Sequence, residues 1–128
     1  MINPIGPAGA YFDISGEQPN NSTWQETIFF MEGGAQMTLS GLDFEMTFRR
    51  SVDSGAPCQT LTTMNGLLSI QSDPITGIAN ILSINAPVGT CAGMVGDYVT
   101  DLASRDANGV ITPWAHGIVS FGSLPLTF

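Results

Sequence analysis

Residues 42–50 alternate apolar and polar side chains without a break, with Leu42, Phe44, Met46 and Phe48 interleaved with Asp43, Glu45, Thr47 and Arg49. A period of two sends successive side chains to opposite sides, so this run predicts an antiparallel strand with one buried and one wet face. No segment sustains the 3.6-residue period of a helix. From Thr23 onward, short β-rich runs follow one another at residues 24–32, 42–50, 59–63, 67–71, 78–85, 98–104 and 110–121. Turn residues separate them about every 8 to 12 positions, the pattern of an all-β sandwich or barrel of about seven strands. In the first run Trp24, Ile28 and Phe30 share one side while Phe29 and Met31 share the other. That strand is therefore either central or turned outward onto an interface.

The turns have readable chemistry. Asn65-Gly66 is a two-residue hairpin signal, because both central positions of the favoured turn need positive φ, which Asn and Gly tolerate. Asp73-Pro74 with Gly77 marks a second reversal. Asp106-Ala107-Asn108-Gly109 closes a third hairpin between the last two runs. Residues 1–22 read differently: Pro4, Gly6, Pro7, Gly9, Gly16 and Pro19 break both helix and ladder, leaving an extended arm with an apolar knot at Tyr11, Phe12 and Ile14. The expected organisation is an arm over 1–22 and one β domain over 23–128. The Pro-interrupted tail 123–128, ending in Phe128, reads as an edge strand or a second arm.

A chain of 128 residues is the common size of one domain, and 43% hydrophobic residues suffice for one core. Only 11% of the residues are charged, against about 25% in an ordinary soluble domain. A surface so poor in charge is commonly covered by neighbouring subunits. With no Lys, three Arg and a net charge of −8, the chain lacks the basic patch that phosphate neutralisation demands, so nucleic acid is not an expected partner. Neither a membrane-spanning apolar stretch nor a basic-then-apolar leader is present in the sequence, and neither membrane insertion nor secretion is expected.

Candidate chemistry is sparse. Cys58 and Cys91 match no C-x-x-C spacing and read as free thiols, with a single disulfide as the alternative. His116 is the sole histidine, which excludes a multi-histidine metal site and leaves no evident partner for nucleophilic catalysis. Asp97 and Asp101 are four apart on a strand and so share a face, while Asp106–Gly109 resembles part of a calcium loop but lacks its later ligands. Asn20 and Asn21 each begin an N-x-Ser/Thr triplet, of little meaning without a secretion signal. No glycine-rich phosphate cradle occurs. Trp24, Trp114 and Tyr98 are either core aromatics or a sugar-stacking surface. The expectation is a protein that is not an enzyme and holds no cofactor or metal.

Three segments, taken in order, resemble a known family. Residues 31–41, Met-Glu-Gly-Gly-Ala-Gln-Met-Thr-Leu-Ser-Gly, run on into Phe44-Glu45-Met46-Thr47-Phe48-Arg49. Asn65-Gly66-Leu67-Leu68-Ser69-Ile70 follows, with Gly77-Ile78. The third comprises Gly96-Asp97-Tyr98-Val99-Thr100-Asp101-Leu102, the Asp106–Gly109 turn and His116-Gly117-Ile118-Val119. Together they are similar to the small Ig-like domains of tailed-bacteriophage tail and baseplate proteins. The resemblance implies an antiparallel Ig-like β-sandwich, a structural virion protein made in the bacterial cytoplasm, and contacts with other phage structural proteins and copies of itself. Tyr11, Phe12, Phe29, Met31 and Phe128 are the residues expected to make those contacts. The alternatives are a capsid cement protein, and a carbohydrate-binding module that takes a host-surface glycan through Trp114, Tyr98 and nearby carboxylates.

Overall fold

The computed structural model describes residues 10–12, 17–32, 34–51 and 56–125, the first three as backbone alone. Among them are eleven strands and no helix: β1 (Ala10–Phe12), β2 (Gln18–Pro19), β3 (Trp24–Phe29), β4 (Met31–Glu32), β5 (Ala35–Gln36), β6 (Asp43–Arg49), β7 (Gln59–Thr62), β8 (Leu68–Gln71), β9 (Ile81–Ala86), β10 (Gly96–Arg105) and β11 (Ile111–Gly122). About seven were expected, and the excess is made of two- and three-residue segments at β1, β2, β4 and β5. A large sheet runs β1-β11-β10-β6-β7, with β2 also on β11, and a small sheet runs β3-β9-β8. The β4-β5 pair stands apart as a short hairpin.

Alternation builds each sheet. In β6, Phe44, Met46 and Phe48 are buried while Asp43 and Glu45 are exposed, as the period of two requires. Thr47 departs from the pattern: it lies on the outward side yet is buried, because Arg49 Nη1 reaches over to donate to its hydroxyl at 3.0 Å. The inward sides of the two sheets meet through aromatic edges. Trp24 of β3 lies 5.9 Å from Phe48 of β6 and 5.4 Å from Phe121 of β11, both edge-on, and Phe30 lies 5.1 Å from Trp114. Each such pair adds about 0.5–1.5 kcal/mol beyond the area it buries. Leu61, Leu68, Leu82 and Ile84 complete the core between them.

Four expectations are corrected. The Asn65-Gly66 turn joins no hairpin: β7 pairs with β6 and β8 with β9, so the turn carries the chain from one sheet to the other. Asn65 Oδ1 accepts the amides of Thr62 and Leu67, and Gly66 supplies φ +81°, which holds the bend without a ladder. The 24–32 run ends as a strand at Phe29, since the chain then folds back on itself with Met31 opposite Gln36 and Glu32 opposite Ala35. The 78–85 run starts its strand only at Ile81, because Ile78 and Asn80 close the loop through bonds to Asp73 and Phe30. Within the segment expected to be an arm, β1 and β2 pair with β11, and they do so in parallel rather than antiparallel fashion.

The last strand contains a bulge. Leu102 faces Ala115 but Ala103 faces Pro113, so Trp114 is an extra residue on β11. The bulge turns Trp114 and Ala115 inward in succession, and Pro113, which has no amide proton to donate, lies next to it. Beyond it, Gly117, Val119 and Phe121 resume the inward side.

Candidate functional site

The two sheets turn unlike faces outward. On the small sheet, strand alternation and register place Gln25 beside Asn85, Thr27 beside Ser83 and Ser69, and Phe29 beside Ile81 and Gln71. None of these eight residues is charged. Gln25 Nε2 donates to Asn85 Oδ1 at 3.3 Å and Gln71 Nε2 to Ser69 Oγ at 2.9 Å, so amides and hydroxyls already form short bonds along the face. The face is a shallow open depression bordered by Glu26 and Ile84. Register with buried Ile84 puts Glu26 on the inward side of the edge strand, so that it borders the depression without belonging to the uncharged rows.

The outward face of the large sheet is charged. One row crosses four strands in register, from His116 through Asp101 and Thr47 to Thr60. Arg49 lies 3.9 Å from Asp101, and Arg105 the same distance from Asp43. Such exposed pairs contribute only about 0–1 kcal/mol each. Asp97 accepts the hydroxyl proton of Ser120, directly across the β10-β11 ladder. At the hairpin end, Met64, Ile111, Ala103 and the Arg105–Asp43 pair line a hollow of about 150 Å³.

The loops at each end are tied by side chains. Around the β8-β9 loop, Gln36 Nε2 donates to Asp73 at 2.7 Å and the Leu39 amide donates to Ala79 at 2.7 Å. The amide of Ile75, donated to Asp73, holds its carboxyl below the usual carboxylate range, with the Thr76 amide and Gln36 assisting and partial desolvation opposing. At the other end the 87–95 loop is held by Gln59 Nε2 on Thr90 O at 2.6 Å, Arg50 Nη1 on Val95 O at 2.7 Å and Asn20 Nδ2 on Met94 O at 2.7 Å.

Each candidate residue now has a place. Phe29 is half-buried on the uncharged outward face of the small sheet, and Met31 is half-buried in the β4-β5 hairpin. Tyr11 and Phe12 lie in β1 with backbones paired to His116 and Gly117, their side chains being outside the described residues, as is all of Phe128. Trp114 and Tyr98 are each 3% exposed, so neither ring offers a face to a sugar, and the glycan reading loses its platform. Asp97 and Asp101 do share an exposed face, whereas Asp106 accepts the amides of Asn108 and Val110 as an ordinary turn residue. Cys58 and Cys91 are both free, the first exposed and the second buried, and burial pushes the Cys91 thiol up.

Asn20 and Asn21 have a function that the triplet motif did not suggest. Asn20 is buried and accepts the Ser123 hydroxyl at 2.8 Å while its amide serves Met94. Asn21 both donates to Leu124 O and accepts from Leu124 N, imitating a ladder rung with its side chain. The pair fastens the C-terminal segment to the start of β3. No protein-family model, no curated protein and no solved structure matches the chain.

Proposed function

We propose that this chain is a non-enzymatic structural module of a tailed-bacteriophage virion, an Ig-like sandwich that holds neighbouring subunits together at the tail, baseplate or a fibre-attachment point. The observation that carries the fold part of this reading is strand order. With β3, β6, β7, β8, β9, β10 and β11 taken as strands B, C, C′, D, E, F and G, the small sheet is B-E-D and the large sheet C′-C-F-G, with β1 alongside G. That division is similar to the one in Ig-like sandwiches and supports this reading. Tyr98 near the start of β10 adds a second likeness, because its Oη accepts the amide of Val95, three residues upstream, at 3.3 Å, in the manner of a tyrosine corner.

The assembly part is supported by the surface. A small sheet whose outward rows carry no charge, on a chain with net charge −8, meets a neighbour without like-charge repulsion from those rows. Three of the side chains singled out in the sequence are engaged in structure: Asp106 in its turn, Asp97 with Ser120, and Trp114 with Ser104 at 2.7 Å. Gold-labelled antibody to this protein, applied to purified particles, tests the reading. Label at one fixed station on the particle is the expected image, and particles that never take label would refute it.

A further inference from the structure

Resting on the reading of the chain as an assembly module, we propose that the outward face of the small sheet is where two copies of this chain meet, face to face about a two-fold axis. The first argument is charge. Each copy carries −8, so two copies repel over most of their surface. Contact through the large sheet would bring Asp43, Glu45, Asp97 and Asp101 against their counterparts, with Arg49 and Arg105 offsetting only part of that charge, and contact through the hairpin-end loops would oppose Asp73 and Asp106 in the same way. The three rows of the small-sheet face hold no carboxylate, Glu26 bordering the depression from the edge strand.

The second argument is self-complementarity. A two-fold contact sets a surface against itself, so its groups must pair with their own kind. Hydroxyls and carboxamides both donate and accept, whereas carboxylates only accept and guanidinium groups only donate. The row Thr27, Ser83, Ser69 sets three hydroxyls across the three strands, with Ser83 on the central one. Phe29 and Ile81, half-buried side by side one row away, add apolar contact.

Size sets the strength. Three strands about 4.8 Å apart, each up to six residues at about 3.3 Å, give a patch of about 14 by 20 Å. That is well below the roughly 800 Å² per partner of a standard stable interface. The dimer is therefore weak in solution, with dissociation in the high-micromolar to millimolar range, and gains strength where a particle repeats the contact.

Sedimentation equilibrium of the purified full chain up to about 1 mM tests this. A monomer–dimer equilibrium is expected, strengthened by added salt as the mutual repulsion of the two copies is screened. Ser83→Asp should weaken association at least about tenfold by setting like charges near the axis, with an unchanged thermal melt showing that the variant folds. Mixing Ser83→Asp with Ser83→Lys should restore a dimer, and Ile118→Asp, on the opposite face, should leave association as it was. A chain that stays monomeric at about 1 mM, or a dimer that Ile118→Asp disrupts and Ser83→Asp does not, overturns the proposal. Dimerisation of a chain that never enters particles would sink the virion reading alone, and a monomer found in particles would sink this contact alone.

Discussion

The guanidinium carbon of Arg50 stands 4.3 Å from the centroid of the Tyr98 ring, while Nη1 of the same group donates to Val95 O. The ring is 3% exposed, so the cation is a lid on a core aromatic at the end of the sandwich where the 87–95 loop turns into β10. Gly96 makes that turn at φ +82°, and the guanidinium lies 3.7 Å from where a Cβ would stand. Three features converge there: a cation over the ring, a bond from the same cation to the loop, and a backbone conformation that only glycine adopts easily.

Arg50→Ala should lower stability by about 1–2 kcal/mol, since an exposed cation–π contact is worth about 0.5–1 kcal/mol and the bond to Val95 adds a similar amount. Urea melts followed by tryptophan fluorescence measure it. Arg50→Lys should recover only part, because an ammonium cannot both lie flat on the ring and keep the fixed fork of donors.

Ser104 and Trp114 give a larger effect. The indole N–H of Trp114 donates to Ser104 Oγ inside the core, so Ser104→Ala leaves a buried donor unsatisfied at a cost of about 1–3 kcal/mol. Trp114→Ala should cost about 3–5 kcal/mol through the cavity it opens. Denaturant midpoints for the two variants check the order, and equal midpoints would contradict the packing described.

Much of this was legible in residues 42–50, where strict alternation gave both the strand and its buried side, and in Asp106–Gly109, where the turn chemistry named the β10-β11 hairpin correctly. Asn65-Gly66 misled because turn chemistry is local: it fixes that the chain bends, whereas the strands on either side take their sheets from β6 and β9, far away in sequence. Pro113 was the available sign of the bulge at Trp114, since a proline inside a run fits an irregularity better than a ladder. The uncharged outward face was hidden for another reason. Gln25, Thr27, Ser69, Ser83 and Asn85 look like ordinary polar positions one strand at a time, and only the β3-β9-β8 register sets them side by side.

Asn20→Ala should destabilise the chain by about 1–3 kcal/mol, because the buried amide holds both Met94 O and the Ser123 hydroxyl. Faster amide exchange at Leu124 and Met94 is the specific readout. A uniform loss of protection across the sheets would contradict a local clamp.

The two thiols should differ sharply. Cys58 is exposed and should react at once with an aromatic disulfide reagent, whereas Cys91 is 4% exposed, with burial raising its thiol, and should react only as the chain unfolds. One thiol titrated in the native state and two in denaturant is the expected count.

Asp73 makes the 72–80 loop sensitive to acid. Its folded carboxyl titrates below its unfolded value because the Ile75 amide favours the charged form. The resulting support is present above the unfolded carboxylate range and is lost as pH falls through the folded value. Amide exchange at Ile75 and Thr76 should rise in that acid window, and Asp73→Asn should raise it at neutral pH.

Quantitative peptide mass spectrometry of gradient-purified particles tests the structural reading most directly. A module that joins subunits should be recovered in a fixed whole-number copy ratio to other virion proteins from one preparation to the next. Absence from intact particles, or trace amounts that vary with purification, would contradict it.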